Sequence, residues 1–262
     1  MKKAFLKSIL LSLIWLGMVS NVSAQGIVVN KTDGSKVFFK ASEVLSVGVF
    51  GYGEGPDDSP KEHEWVDLGL PSGTLWATTN VGAKKPEDYG NYFAWGETIG
   101  YDEGKTTFNW ETYKYYDTSF KTVTKYCTDS SSGSIDNKRE LESADDAATV
   151  NWGSEWQMPS NDQFRELINS SYTTTTWTTL NGVNGRLIVS KSNGNRIFLP
   201  AAGSRNDTSL NYTGSYGYYW SRSLSTSNSA GGYVLYFYSS DISTYGSYRY
   251  YGRSVRPVRV QK

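Results

Sequence analysis

The 262-residue chain has little of what most site chemistry needs: one cysteine, Cys127, and one histidine, His63. A single cysteine makes no internal disulfide, so packing alone must hold the fold, and Cys127 reads as a small half-buried side chain and not as a nucleophile. The lone histidine sits between Glu62 and Glu64 in an acidic stretch, where a solvated linker residue is a simpler reading than a general base. Histidine, cysteine and carboxylates do not cluster at ligand spacing, which argues against zinc and iron. No metal and no cofactor is expected. The chain has no apolar run near the roughly 20 residues of a membrane-spanning helix, and no block of basic residues of the kind that binds nucleic acid.

The first two dozen residues have the layout of a secretory signal. Met1-Lys2-Lys3 gives a positive start, Ile9 to Val19 is an apolar run broken only by Ser12 and Gly17, and Val22-Ser23-Ala24 places small residues before a cut at Gln25. The expectation is a signal peptide over 1–24 and a product that works in the periplasm, at the cell surface or outside the cell. With Cys127 far from that cut, an acylated N-terminal thiol is disfavoured.

Removing a signal with three lysines and no acid leaves 23 basic and 26 acidic residues, a net charge of about −3. From Arg196 onward there are eight Lys or Arg against Asp207 and Asp241 alone. That asymmetry suits either an anion-binding face or arginines scattered on strand exteriors, and the second is preferred here.

Residues 25–50 read as a small β unit: Ile27-Val28-Val29, a turn at Asp33-Gly34, Val37-Phe38-Phe39, and a third strand over Val44 to Phe50. Residues 51–63, acidic and rich in Gly and Pro, have a linker's makeup. The main domain is expected over 64–262. It opens with strands over Trp65–Leu70, Thr74–Thr78 and Tyr92–Trp95. A polar, ring-studded stretch over 100–140 is expected to be a long surface excursion. Helices follow over Ser143–Val150 and Ser160–Asn169, the latter with Ser160 as N-cap and Gln163 as capping-box partner. Strands at Arg186–Ser190 and Arg196–Leu199 flank an Asn-Gly turn, and Tyr218–Ser221, Gly232–Tyr238 and Tyr248–Val260 complete the set. Strands, then helices, then strands make an α+β domain.

Two stretches carry a family resemblance. One is Val66-Asp67-Leu68-Gly69-Leu70-Pro71-Ser72-Gly73-Thr74-Leu75-Trp76-Ala77-Thr78, followed by Tyr92-Phe93-Ala94-Trp95-Gly96-Glu97-Thr98. The other runs from Asp145-Asp146-Ala147-Ala148 through Trp152, Trp156 and Met158-Pro159-Ser160 to Gly217-Tyr218-Tyr219-Trp220-Ser221 and Ser254-Val255-Arg256-Pro257-Val258. In this order they resemble the Fibrobacter succinogenes major paralogous domain family of exported bacterial proteins, and more distantly the formylglycine-generating, or sulfatase-modifying, group. The resemblance implies a C-type-lectin-like fold, two helices with a loop-rich twisted antiparallel sheet, and implies an activity less than a fold. The paired cysteines of a formylglycine-generating oxidase are absent. So are the Glu-Pro-Asn and Trp-Asn-Asp pairs that sugar-binding C-type lectins place around calcium, although Asp129, Asp136, Asp145 and Asp146 supply oxygens that would suit that ion.

Asn206 to Ser254 is the informative segment: 11 of its 49 residues are Tyr and 12 are Ser, a composition that suits an adaptable binding surface as well as rings filling a sheet-poor fold. Alternation along Tyr233–Tyr238 turns Tyr236 and Tyr238 to one face and Leu235 and Phe237 to the other. The expected ligand-binding set is Tyr212, Tyr216, Arg222, Tyr236, Tyr238, Tyr245, Tyr248 and Tyr250. The leading expectation is an exported, non-catalytic binding or adhesion protein whose partner is a protein or glycan outside the cytoplasm. The alternatives are a carbohydrate-active hydrolase pairing Glu97 with Glu111 or Glu155, and a structural component of a surface assembly docked through residues 25–50.

Overall fold

A computed structural model describes residues 63–260 together with three strands at 19–23, 26–30 and 36–40. The chain divides between Glu62 and His63 into two compact units. In the first, β1 (Val19–Ser23), β2 (Gly26–Asn30) and β3 (Lys36–Lys40) form an antiparallel sheet in the order β1-β2-β3. The β2–β3 pairing sets Ile27 opposite Phe39 and Val29 opposite Val37, which is the expected hairpin. β1 lies within the expected signal, and β2 and β3 lie beyond the expected cut after Ala24. The Asp33-Gly34 turn, the strand at 44–50, the linker up to Glu62 and the signal's apolar run up to Met18 lie outside the described residues.

The second unit is mixed α and β, its ladders all antiparallel, with two α-helices among the described residues. β4 (Trp65–Asp67) and β5 (Thr74–Ala77) pair antiparallel, with Val66 opposite Trp76. A two-residue pair follows, β6 (Tyr116–Asp117) with β7 (Thr122–Val123). After α1 (Ala147–Trp152) and α2 (Asn161–Leu167) come β8 (Thr173–Leu180), β9 (Val183–Ser190) and β10 (Arg196–Pro200), a three-stranded meander. The hairpin of β11 (Ser204–Asn206) and β12 (Ser209–Asn211) precedes a second meander of β13 (Gly217–Leu224), β14 (Gly231–Phe237) and β15 (Ile242–Tyr248). β16 (Val258–Val260) then pairs with β5, placing Val258 opposite Trp76. No helix among the described residues is long and apolar enough to cross a membrane.

The helix starts follow side-chain chemistry. Ser160 Oγ accepts from Gln163 N at 3.1 Å while Gln163 Oε1 accepts from Ser160 N at 2.8 Å, the reciprocal box expected for α2. The helix expected over Ser143–Val150 is instead a 3-10 turn over Ser143–Asp145 and then α1. The break falls at Asp146, whose extended backbone turns its carboxylate onto Ala148 N and Thr149 N as N-cap. The same carboxylate accepts from Met158 N, tying the chain after α1 to the helix start. Burial raises the pKa of Asp146, opposed by those three backbone donors.

Two apolar clusters fill the unit. One packs Phe164 and Leu167 of α2 against Trp76, Ile188, Leu235 and Phe237; the other centres on Phe93, Trp95 and Trp220. Gly232 shows how closely the second is packed, since a Cβ there would lie 2.6 Å from Trp95 Cδ1.

Two expectations fail instructively. The stretch over 100–140 is no surface excursion as a whole: Phe108, Tyr113, Tyr115, Tyr126 and Cys127 are buried. Asp145 gathers the hydroxyls of two of these rings, and Tyr113 Oη donates to Trp95 O at 2.8 Å. Tyr126 Oη donates to the carboxylate at 2.6 Å, Tyr115 Oη donates to it as well, and Lys114 and Lys125 pair with it at 3.0 and 2.5 Å. Burial pushes the Asp145 carboxyl up, but the hydrogen bonds from Lys125, Tyr115, Tyr126 and Lys114 outweigh it and hold it well below the usual carboxylate range.

The second failure is the strand expected over Tyr248–Val260. Only its two ends are strand, Tyr248 as the last residue of β15 and Val258–Val260, because residues 249–257 bond to several neighbours in turn: Trp95 N donates to Arg249 O, Arg253 N to Phe93 O, Trp220 N to Ser254 O, Val81 N to Val255 O and Ala77 N to Pro257 O. The expected Tyr92–Trp95 strand is reduced for the same reason to one bridge, Phe93 with Arg253. The arginines of this stretch are not on strand exteriors. Arg249, Arg253 and Arg256 are all buried. Arg256 donates to Asn80 Oδ1 (2.8 Å), Ala77 O (3.0 Å), Thr78 O (2.9 Å) and Phe198 O (3.0 Å). Arg249 donates to Lys125 O and Tyr126 O beneath the Trp95 ring.

Two outcomes follow from these buried groups. Arg256→Ala strands three carbonyls and an amide oxygen, so it should lower unfolding free energy by at least about 3 kcal/mol, read from the urea midpoint. Arg256→Lys, with a point charge in place of the planar fork, should not restore it. For Asp145, whose folded pKa lies below the unfolded value, the stabilising contribution is complete above about pH 4 and is lost as pH falls toward the folded pKa. Asp145→Asn should therefore be less stable at neutral pH and show a shallower loss of stability on acidification, as followed by denaturant unfolding from pH 7 to 2.5.

Candidate functional site

The β13–β15 meander has one face in the core, and its other face is buried at Trp220 and Val234 and carries tyrosines beyond them. In the β13–β14 register Tyr219 lies opposite Leu235, and both are buried; Tyr218 lies opposite Tyr236, and both are half-buried. Tyr216 extends the row: its ring stacks on Tyr236 at 5.8 Å and lies 5.7 Å from Tyr238 and 5.4 Å from Tyr212. Tyr245 on β15 meets Tyr236 edge-on at 5.5 Å. Tyr212, Tyr216, Tyr236, Tyr238 and Tyr245 thus form one continuous aromatic surface, on the face that strand alternation assigns to Tyr236 and Tyr238.

A pocket of about 570 Å³ opens beside this surface, between β15, the β11–β12 hairpin and the loops over 225–231 and 248–253. Tyr212, Tyr218, Tyr245, Tyr248 and Tyr251 supply rings to its wall; Ser204, Ser225, Ser227, Ser247, Asn206, Asn211 and Asn228 supply hydroxyls and amides. Gly246 keeps its bare Cα against Ser225, where a Cβ would collide with the Ser225 hydroxyl. Tyr212 is 61% exposed and has φ +65°, a left-handed conformation that costs a non-glycine residue about 1 kcal/mol or more. An exposed ring held there is a feature that folding alone does not call for.

Tyr248 and Tyr250 stack at 5.8 Å and lean on Trp110, 5.9 and 5.0 Å away. Trp110 also lies 4.6 Å from Tyr116, so the 100–140 stretch supplies the support for this end of the surface. Of the expected set, Arg222 alone stands apart. Its guanidinium pairs with Glu140 at 3.2 Å and donates to Gln157 Oε1 at 3.2 Å. The backbone there bonds to Leu141 N and Pro159 O, next to the N-cap of α2, and Arg222 is not among the residues that line the pocket.

The charge in the pocket comes from Arg253, which the sequence reading left among exterior arginines. It is 3% exposed, sits over the rings of Tyr218 (4.7 Å), Trp220 (4.8 Å) and Tyr251 (5.2 Å), and donates from Nη2 to Ser247 Oγ at 2.6 Å. Its Nε and Nη1 have no hydrogen-bond partner, and no lining residue is acidic. Burial lowers the pKa of Arg253, yet a guanidinium keeps its charge at neutral pH.

Other sequence candidates are engaged elsewhere. Glu97 is buried, pairs with Lys105 at 2.7 Å and accepts from Lys114 N at 2.8 Å. His63 is not a free linker residue: its ring stacks on Trp152 at 3.6 Å, beside Trp156. Asp129 accepts from Ser131 and Ser132, and Asp136 from Tyr126 N and Cys127 N, so with Asp145 and Asp146 all four aspartates that would suit calcium are held by donors of the chain. Cys127 is fully buried, its thiol against Asp129 O, and so lies deeper than expected.

Because Tyr212 and Tyr248 are 61% and 50% exposed, Tyr212→Ala and Tyr248→Ala should each leave unfolding free energy within about 0.5 kcal/mol of wild type; a loss of several kcal/mol in thermal or urea unfolding would make them packing residues. No protein-family model matches this chain, and no match was found among curated proteins or solved structures.

Proposed function

We propose that this is an exported, non-catalytic binding or adhesion protein that recognises a protein or glycan through its tyrosine- and serine-rich C-terminal face, on a C-type-lectin-like domain of the major paralogous type. The observation that carries the reading is the pairing of the open tyrosine surface with a 570 Å³ pocket. The volume falls within the range of about 300–1,000 Å³ typical of small-ligand sites, and the wall combines rigid rings with short hydroxyl and amide donors, the chemistry of a paratope. The rings sit on a meander whose opposite face is core, so the surface is pre-organised and a ligand has little ordering left to impose. The signal-like sequence over 1–24 and the scarcity of histidine and cysteine support a role outside the cytoplasm that rests on contact and not on reaction.

The test is a glycan array combined with pull-down of outer-surface proteins, repeated with Tyr212, Tyr216, Tyr245 and Tyr248 all changed to Ala. The expected result is a specific partner whose binding the fourfold variant loses while its circular dichroism is unchanged. Binding that the variant retains would refute a role for this face.

A further inference from the structure

The buried arginines of the C-terminal segment are not equivalent. Arg256 uses its donors on four acceptors and Arg249 on two carbonyls, whereas Arg253 reaches one hydroxyl. None of the ion pairs among the described residues involves Arg253. Three aromatic faces offset part of the cost of burying its charge, but rings carry no counter-charge. Arg253 lines the pocket, and the lining hydroxyl to which it donates is that of Ser247. Its Oγ accepts the arginine's Nη2–H, which leaves the hydroxyl proton to donate to something in the pocket.

Resting on the recognition reading above, we propose that the pocket is a site for an acidic sugar of the uronate kind, its carboxylate accepting from Ser247 under the charge of Arg253 and its ring face lying on tyrosine. The pocket wall has one cation and no anion, so it matches a ligand with a single negative charge. A phosphate ester, at about −1.5 to −2, would leave charge uncompensated. The serines and asparagines around the wall match a ring with several hydroxyls. An aliphatic carboxylate would make no use of the wall's remaining donors and acceptors, such as the Asn206 and Asn211 amides. Tyr212, Tyr245 and Tyr248 supply the flat contacts at the mouth.

The probes are disaccharides containing galacturonate, glucuronate, mannuronate or N-acetylneuraminate, each beside its methyl ester or neutral counterpart, titrated calorimetrically into the full-length protein. At least one acid should bind, its methyl ester about tenfold or more weaker, with affinity falling as salt rises. Ser247→Ala, which leaves the aromatic box intact, should reduce acid binding about tenfold and leave any weak binding of the ester unchanged. Arg253→Gln should do the same where it folds, and Ser247→Ala decides the matter where it does not. Equal binding of acid and ester, or a Ser247→Ala variant that binds the acid as tightly as the unaltered protein, would overturn the anion assignment while leaving recognition by the tyrosine face standing. A panel with no binder, or an acidic peptide bound in place of every sugar, would overturn the sugar assignment; the surface-protein pull-down with the fourfold tyrosine variant judges the broader reading separately.

Discussion

The four hydrogen bonds donated by Arg256 join stretches of chain that share no ladder: the end of β5 at Ala77 and Thr78, the loop at Asn80, and β10 at Phe198. A fold with short strands and long irregular connections buries many carbonyl oxygens that no neighbouring strand can satisfy, and each would cost free energy if left bare. A guanidinium answers several at once because its donors lie in one plane on a rigid fork. Arg249 does the same for Lys125 and Tyr126, and Arg186 for the loop at Tyr238 and Asp241. With one cysteine in the chain, these side chains take over much of the cross-linking that disulfides provide in disulfide-bonded domains.

That constraint explains why the C-terminal segment is central. Residues 249–257 run through the interior, bonding in turn to Trp95, Phe93, Trp220, Val81 and Ala77, and fix both the core and the floor of the pocket. The tyrosine surface above them inherits its rigidity. Tyr218 and Tyr236 face outward because Tyr219, Leu235 and Phe237 are held inward by packing against α2 and the β8–β10 meander. The same segment that closes the fold also supplies Arg253, so core and site share a single stretch of sequence.

Much of this was legible from local chemistry. The Ser160–Gln163 capping box, the Asn-Gly turn between β9 and β10, and the alternation along β14 depend on neighbours in sequence, and the structure has each of them. What sequence reading lost was long-range. Nothing local marks Arg249, Arg253 and Arg256 as interior, since their acceptors lie between roughly 6 and 180 residues away. The polar stretch over 100–140 reads as surface until Asp145 is seen to gather Tyr115, Tyr126, Lys114 and Lys125. β8, a run of threonines without apolar alternation, and β15, whose β-formers are diluted by Ser, Thr and Gly, have no counterpart among the expected strands. In the expected ligand set the tyrosines came together because they share one sheet face and its flanking loops; Arg222 did not, because Glu140 and Gln157 hold it at the other end of β13.

The central claim, that buried arginines make irregular backbone as firm as sheet and so pre-organise the tyrosine surface, is tested most directly by native-state hydrogen exchange. The amides of Val81, Phe93, Trp95, Trp220 and Arg253, each bonded to or within the 249–257 segment, should exchange only through global unfolding, at the free energy shown by the β14 amides. Exchange of these amides through local openings, at rates near those of the exposed loop at Ser119 and Phe120, would contradict it.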